Sequence, residues 1–444
     1  MTARDIASPV LDENFLHDIL ERTRNAGATD VEARADELRA LLVDVRDGAL
    51  QNVQRSESAA FQLTAWVGKR RASVGTNHFS AAAISELIAR VTSMAKIAPE
   101  DAWSGLAPSG LVARGNDAHL ELLDPHDTDA AQLETWALEL EAAARAVPGV
   151  TQCEGAPVQV GSQRGMHVTS NGLSHRVDRS FYSAGISVIA AKNGAKEVGR
   201  AQRAARWRED MPAMSAIGTE AGRMAAAQLG SRKLPSMNAP VIFDRTVAMA
   251  LITPLLGAIS GSAIARGTSF LKDKVGQRVF ANGVDIVDEP FIPRALGSRA
   301  VDLEGVAPRP RKIVADGILT TWLMDCATAR QLKLETTGHA GGVSNLSVSP
   351  GRLSRQELMS EAGSGLLVTT LFGPSLNPNS GDWSLGVAGF WFERGAIAYP
   401  VSEVTVAGRL PELYPQIVIG SDLEIRDAAN SPSLLVPQMS IGGR

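Results

Sequence analysis

Cysteine is almost missing from this chain: two in 444 residues, Cys153 and Cys326, far apart in sequence. A disulfide framework is excluded, the cytoplasm is the expected compartment, and both thiols are expected to be buried and structural. No surplus of positive charge exists either. Lys and Arg number 44 against 48 Asp and Glu, a formal net charge of -4, so the basic footprint of a nucleic-acid binder is absent. No uninterrupted apolar run approaches the ~18 residues of a membrane span. The opening residues, MTARDIASPVLDENFLHDIL, lack the basic start and apolar centre of a signal peptide.

Catalytic motifs are equally scarce. The seven histidines are His17, His78, His119, His126, His167, His175 and His339, and none forms the His-Glu-x-x-His pair that converges on one metal ion. His119 and His126, the nearest pair, fall in a Pro- and Gly-rich connector and read as solvated loop residues. No Gly-x-Ser-x-Gly elbow, phosphate loop or Gly-x-Gly-x-x-Gly fingerprint occurs. The GHAGG at Gly338 follows no strand-helix unit, so it reads as a turn with close backbone approach.

What is present is a sizeable core-forming composition, 44% hydrophobic and 21% charged, with abundant turn signals. Helices are predicted over residues 13–25, 81–97 with Ser80 as N-cap, 130–146, 216–229, and 354–362, where Ser354 and Glu357 have capping-box spacing. Period-two stretches between them, with Asp47-Gly48, Gly68-Lys69, Asn171-Gly172, Asn193-Gly194, Asp316-Gly317 and Arg394-Gly395 at turns, predict hairpins. The fold class is α+β with largely antiparallel sheets. Three regions are expected: 1–98, an N-terminal α+β domain with an antiparallel meander; 99–234, a connector, helix and long hairpins; 235–444, a β-rich C-terminal domain with a central helix.

The segment LLGAISGSAIARGTS, residues 255–269, stands out. It reads as one short apolar helix, yet carries Gly257, Ala258, Ser260, Gly261 and Ser262. Each glycine costs a helix about 1 kcal/mol against alanine, so small size must serve something.

Several other segments carry a resemblance. SESAAFQLTAWVGKRRASVGTN, ARVTSMAKIAPEDAWSGLA, TTGHAGGVSNLSVSPG, GDWSLGVAGFWFERGAIAYPVSEVTVAG and the terminal LLVPQMSIGG are similar to the TldD/PmbA family, over nearly the whole chain. GDWSLGVAGFWFERG in particular resembles the PmbA (TldE) branch. The resemblance implies the non-catalytic subunit of a heterodimeric cytosolic zinc metallopeptidase that trims unstructured peptides. The family's older label is modulator of DNA gyrase. TldD-type subunits carry a His-Glu-x-x-x-His helix, and a Cys near the C-terminus completes their zinc site. In this sequence Gly257 stands where the first His would be, Ala258 at the Glu and Ser262 at the second His, and EIRDAANSPSLLVPQ holds no Cys. None of these side chains can ligate zinc or act as general base there. No cofactor is expected on this chain, zinc being expected in a TldD-like partner, and the isolated chain is expected to form a homodimer.

Two readings of the small residues then compete. They close an abandoned cleft by tight packing, which the flanking Leu255, Leu256, Ile259 and Ile264 favour, or they leave room for a peptide backbone. The strands at NLSVSPG and GVAGFWFERG could pair with an extended peptide or be ordinary core hairpins, with Trp391 and Phe392 as core or interface aromatics. The alternative function is a metal-free homodimeric peptide-binding or regulatory module without hydrolytic activity.

Overall fold

The computed structural model describes residues 11–115 and 117–443. The first ten residues, part of the stretch read as lacking a signal peptide, lie outside the described residues. Helix α1 (Glu13–Asn25) starts at Asp12, whose carboxylate accepts from the Asn14 and Phe15 amides, satisfying donors that the first turn leaves free. Strands β1 (Asp30–Arg46), β2 (Ala49–Val67) and β3 (Arg70–Thr76) form the expected meander, followed by α2 (Ala81–Ile97) capped by Ser80. Then come α3 (Ala130–Arg145), β4 (Val150–Gly155), β5 (Val158–Thr169), β6 (Ser174–Lys192), β7 (Ala195–Ala205) and α4 (Met214–Ala227).

All seven strands belong to one half-barrel sheet in the order β3-β2-β1-β5-β6-β4, with β7 also on β6. The sheet runs across the boundary drawn at residue 98, because β1 pairs with β5 from Glu32↔Thr169 to Val43↔Val158. Alternation decides its two faces. Val31, Ala33 and Ala35 bury under α1 and α2, while Leu41, Val43 and Val45 bury under α3 and α4. The intervening positions of β1 face the other, helix-free side.

The C-terminal half holds two further sheets. Strand β8 (Met237–Phe243) leads to α5 (Met249–Ala258) and α6 (Gly261–Arg266), then β9 (Ile286–Asp288), β10 (Arg311–Ala315), β11 (Ile318–Leu319), α7 (Cys326–Leu332) and β12 (Leu346–Val348). Helix α8 (Arg355–Ala362) precedes β13 (Ser364–Leu376), β14 (Asp382–Glu393) and β15 (Ala396–Arg409); α9 (Leu410–Leu413), β16 (Val418–Ile419), β17 (Ala429–Asn430) and β18 (Leu434–Gly442) complete the chain. The order β15-β14-β13-β8-β18-β16 closes on itself through β15–β18, making a barrel. Most pairings are antiparallel; β8–β13 and β12–β17 are parallel. The capping box of α8 forms as predicted, with Ser354 and Glu357 exchanging both bonds. Helix α7 was not foreseen, being only seven residues long.

The half-barrel meets the C-terminal half at a buried polar junction. Glu32 accepts from Arg34 Nε at 2.9 Å and lies 2.7 Å from His167 Nε2, while the Arg34 guanidinium also donates to the Leu303 carbonyl. Beside them His175 faces Asp117 at 3.3 Å. Burial pushes the His167 pKa down, outweighing the Glu32 contact. Burial also opposes ionisation of Glu32, but its hydrogen bond from His167 and the Arg34 charge hold its pKa below the usual range.

Both shifts work in one direction. The folded state disfavours the His167 proton, so stability present above the unfolded pKa of about 6.5 is lost as pH falls below it. Glu32 adds a second loss only below its unfolded value, near pH 4.5. Urea midpoints are expected to drop between pH 7.5 and 5.5, with a limiting slope of about 1.4 kcal/mol per pH unit for one proton. His167→Gln, which keeps a donor for Glu32, should flatten that slope. An unchanged slope would remove His167 as its origin.

Candidate functional site

The segment 255–269 is not one helix, which corrects the sequence reading. Helix α5 ends at Ala258, Ile259 caps it, and Ser260 turns extended (φ -63°, ψ 137°) to become the N-cap of α6. Its hydroxyl accepts from the Ala263 amide at 3.3 Å, donates to the Gly257 carbonyl at 2.8 Å and lies 3.4 Å from Ser262 Oγ. The break is held from outside: Gly261 N donates to Leu323 O at 2.7 Å and Leu323 N to Ile259 O at 2.9 Å. Two carbonyl-amide pairs with a neighbouring loop replace the ladder that a continuous helix would supply.

Gly257 and Ser262 are exposed and meet near the Ser260 hydroxyl, whereas Ala258 is buried in the C-terminal core. A Cβ added at Gly257 would touch nothing within 4 Å. Tight packing is therefore not the reason for glycine there, and the packing reading fails at this residue. It holds at Gly261 instead, where a Cβ would collide with Thr328 Oγ1 and lie 2.8 Å from Thr328 Cβ. Two glycines four residues apart thus have different causes.

No zinc site can be built from these groups. Gly257 and Ala258 offer no side-chain donor, and the Ser262 hydroxyl alone does not make a metal centre. Among the described residues no group of three or more His, Cys, Asp or Glu is arranged to hold a metal ion. Cys153 and Cys326 are both buried. Burial pushes the Cys153 thiol up to about 11 and Cys326 also well above its ordinary value, so both stay protonated and unlike ligand thiolates.

The remaining motif residues have structural partners. His339 is buried, with Nδ1 2.9 Å from Thr337 Oγ1 and Nε2 3.2 Å from Asp288 Oδ2. The neighbouring Ala340 amide donates to Asp302 at 3.1 Å. Gly338 takes φ 70° against Pro308, so GHAGG is a pinned turn and not a phosphate cradle. His126 is exposed on the connector beside Asp124, and His119 stacks obliquely on Phe291. Phe392 is fully buried, while Trp391 donates from its indole to Glu393 on the surface.

The C-terminal stretch EIRDAANSPSLLVPQ is tied down by charge pairs that sequence reading missed. Arg245 Nε donates to Glu424 at 2.8 Å, Arg426 Nη1 to Glu220 at 3.0 Å, and Arg203 to the same Glu220 at 2.5 Å. Burial raises the Glu424 pKa, but Arg426 and Arg245 outweigh it and hold the carboxyl below its usual range. These groups line a cleft of about 460 Å³ between the half-barrel and the barrel. Four guanidinium groups (Arg200, Arg203, Arg245, Arg426) face three carboxylates (Glu220, Glu424, Asp427) there, and Glu220 and Glu424 are both held by arginines.

Comparison with known proteins gives the family. Residues 31–95 match domain 1 of the PmbA/TldA metallopeptidases, 123–229 their central domain and 236–443 their C-terminal domain. The chain is 34% identical over 406 residues to metalloprotease PmbA of Escherichia coli O157:H7, covering 90% of each chain. It is 31% identical over 429 residues to the PmbA homolog of Haemophilus influenzae, covering 96% of this chain and 94% of that one. The fold superposes with TM-score 0.92 and 23% identity on a candidate modulator of DNA gyrase from Bacteroides thetaiotaomicron, over 98% of this chain and 100% of the other. With TldE from Thermococcus kodakarensis the TM-score is 0.84 at 18% identity, over 96% and 100%. Among the described residues no helix is long and apolar enough to cross a membrane. The chain belongs to the PmbA/TldD metallopeptidase family and is PmbA-like within it.

Proposed function

We propose that this chain is the non-catalytic, TldE-type subunit of a heterodimeric zinc metallopeptidase that acts on unstructured peptides in the cytoplasm. A TldD-like partner carries the zinc and the general base. The observation that carries this reading is the trio Gly257, Ala258 and Ser262, two exposed positions without a ligand and one turned into the core. The chain would cover the partner's cleft and form one wall of a peptide channel, excluding water and bulky folded protein.

A metal-free homodimeric binding module is the second reading. It is favoured by the first part of β2, where, among the described residues, Ala49–Ala60 pair with β1 alone and leave one strand edge open. An open edge is a template for another chain.

Co-expression with a TldD-like chain bearing an intact His-Glu-x-x-x-His separates the two. The expected result is a co-purifying heterodimer with about one zinc per pair that cleaves an unstructured peptide, with a chelator stopping it. The isolated chain should hold no stoichiometric zinc and cleave nothing. If the isolated chain hydrolyses peptide at the rate of the mixture, or no heterodimer forms by light scattering, the reading falls.

A further inference from the structure

Among the described residues of the half-barrel, Arg179 and Arg206 are neighbouring guanidinium groups that no carboxylate contacts. Arg206 is only 9% exposed. Its Nη1 donates to the Ser180 carbonyl at 3.0 Å and its Nη2 to the Leu296 carbonyl at 2.7 Å, while Nε is buried without a partner. The nearby charge acting on it is another cation, Arg179, and burial together with that repulsion pushes its pKa down to about 10. Arg179 in turn is satisfied only by a neutral amide, donating through Nε to Gln163 Oε1 at 2.9 Å and also through Nη2. The nearest acid in that chain of bonds is Asp36, which Gln163 Nε2 contacts at 2.9 Å.

Burying an unpaired cation costs several kcal/mol, and a second one beside it adds to the cost. Ordinary structural arginines recover this through a carboxylate, as Arg34 and Arg426 do in this chain. Arg179 and Arg206 do not. A field of this kind, from a buried Arg206 beside a part-exposed Arg179 that reaches Asp36 only through a neutral amide, favours an oxyanion, and guanidinium geometry suits a carboxylate.

Their position names the occupant. The pairing Gln163↔Arg179 continues Leu38↔Gln163 across the helix-free face of the sheet. Farther along β6 the same face opens into a groove of about 660 Å³ whose polar lining includes Gln159, Ser183, Arg200 and Gln202, with Asp44 and Glu154 also on its wall. Amide and hydroxyl groups there can bond a peptide backbone without reading its sequence.

We propose that Arg179, backed by the field of Arg206, anchors a carboxylate of an unstructured peptide lying along the helix-free face of the half-barrel. The carboxylate is the free C-terminus or an Asp or Glu side chain. This inference rests on the peptide-handling role proposed above, and it adds the chemistry by which this chain holds the peptide.

Fluorescence anisotropy with the full chain tests it. The probes are one labelled unstructured peptide with acidic side chains and a free C-terminus, its C-terminal amide, and a third form with amide side chains as well; inorganic phosphate serves as competitor. Removing the carboxylate that docks should weaken binding about tenfold, the size of one charge-assisted hydrogen bond, and the step at which this occurs identifies the source. Arg179→Gln should lose the same factor and no longer distinguish the three peptides, with Arg179→Lys in between and unchanged melting temperatures throughout. The peptide comparison on the parent chain stands even if a variant fails to fold. Equal affinity for all three peptides, or no peptide binding, overturns the proposal, as does displacement by phosphate without any preference among peptides. Carboxylate-dependent binding in a chain that forms no heterodimer would instead sink the subunit reading and leave the anchor standing.

Discussion

Ala258→Glu is expected to destabilise the chain by about 3–5 kcal/mol, the scale of an uncompensated buried charge. Ala258 is 6% exposed among Leu255, Ile259 and the rest of the C-terminal core. Its carbonyl already accepts the Ser269 hydroxyl at 2.6 Å, and no cation pairs with the segment among the described residues. A carboxylate there must stay charged without a partner or take up a proton at a cost in stability. Gly257→His and Ser262→His should behave in the opposite way. Both side chains project from exposed positions, and an imidazole at the end of α5 also suits the helix dipole.

This runs against the reading, drawn from the apolar neighbours in sequence, that the small residues close the segment by tight packing. The double histidine variant should melt within experimental error of the parent, while addition of Ala258→Glu brings the loss. No variant of the set should become a peptidase, since the third ligand is still missing. Thermal unfolding by circular dichroism and elemental zinc analysis check both parts. A triple variant that keeps its stability, loads zinc and cleaves peptide would overturn the account.

The second large effect is expected at Gly261. A valine there would drive its Cβ into Thr328, whose Oγ1 is bonded to Asp325 Oδ1 at 2.6 Å. Asp325 is the N-cap of α7 and also accepts from the Thr328 amide at 2.7 Å. Moving Thr328 aside therefore disturbs a helix cap as well as packing. Overpacking costs about 1–3 kcal/mol and a lost cap about 1 more. Gly257→Ala should instead stabilise by up to ~1 kcal/mol, because the site is helical and open. Thr328→Ala should recover part of the Gly261→Val loss, giving a favourable coupling in a double-mutant cycle. Strictly additive effects would mean that the two residues do not collide.

Local features were legible in the sequence wherever a few adjacent residues control them. Asp47-Gly48, Asn193-Gly194 and Arg394-Gly395 all have positive φ at both residues, as a tight hairpin turn requires. The break at Ser260 also had a local signal, a Ser N-cap seven residues ahead of an αL glycine, Gly267. Apolar periodicity on both sides concealed it. Arg206 gave no such signal: in sequence it is one basic residue at the end of a strand, and its isolation arises from carbonyls at Ser180 and Leu296.

The amino-acid sequence by itself determined the hairpins, the capped helices and the absence of His, Cys, Asp and Glu at 257, 258 and 262. These depend on residue identity and on contacts within a few positions. Only the tertiary structure decided which small residues are packed and which are open. The space at Gly261 is filled by Thr328, more than sixty residues later, while a Cβ at Gly257 would meet nothing within 4 Å. The unpaired field of Arg179 and Arg206 was decided in the same way. A guanidinium becomes costly, and useful, when folding draws it from water beside another cation without a carboxylate in direct contact.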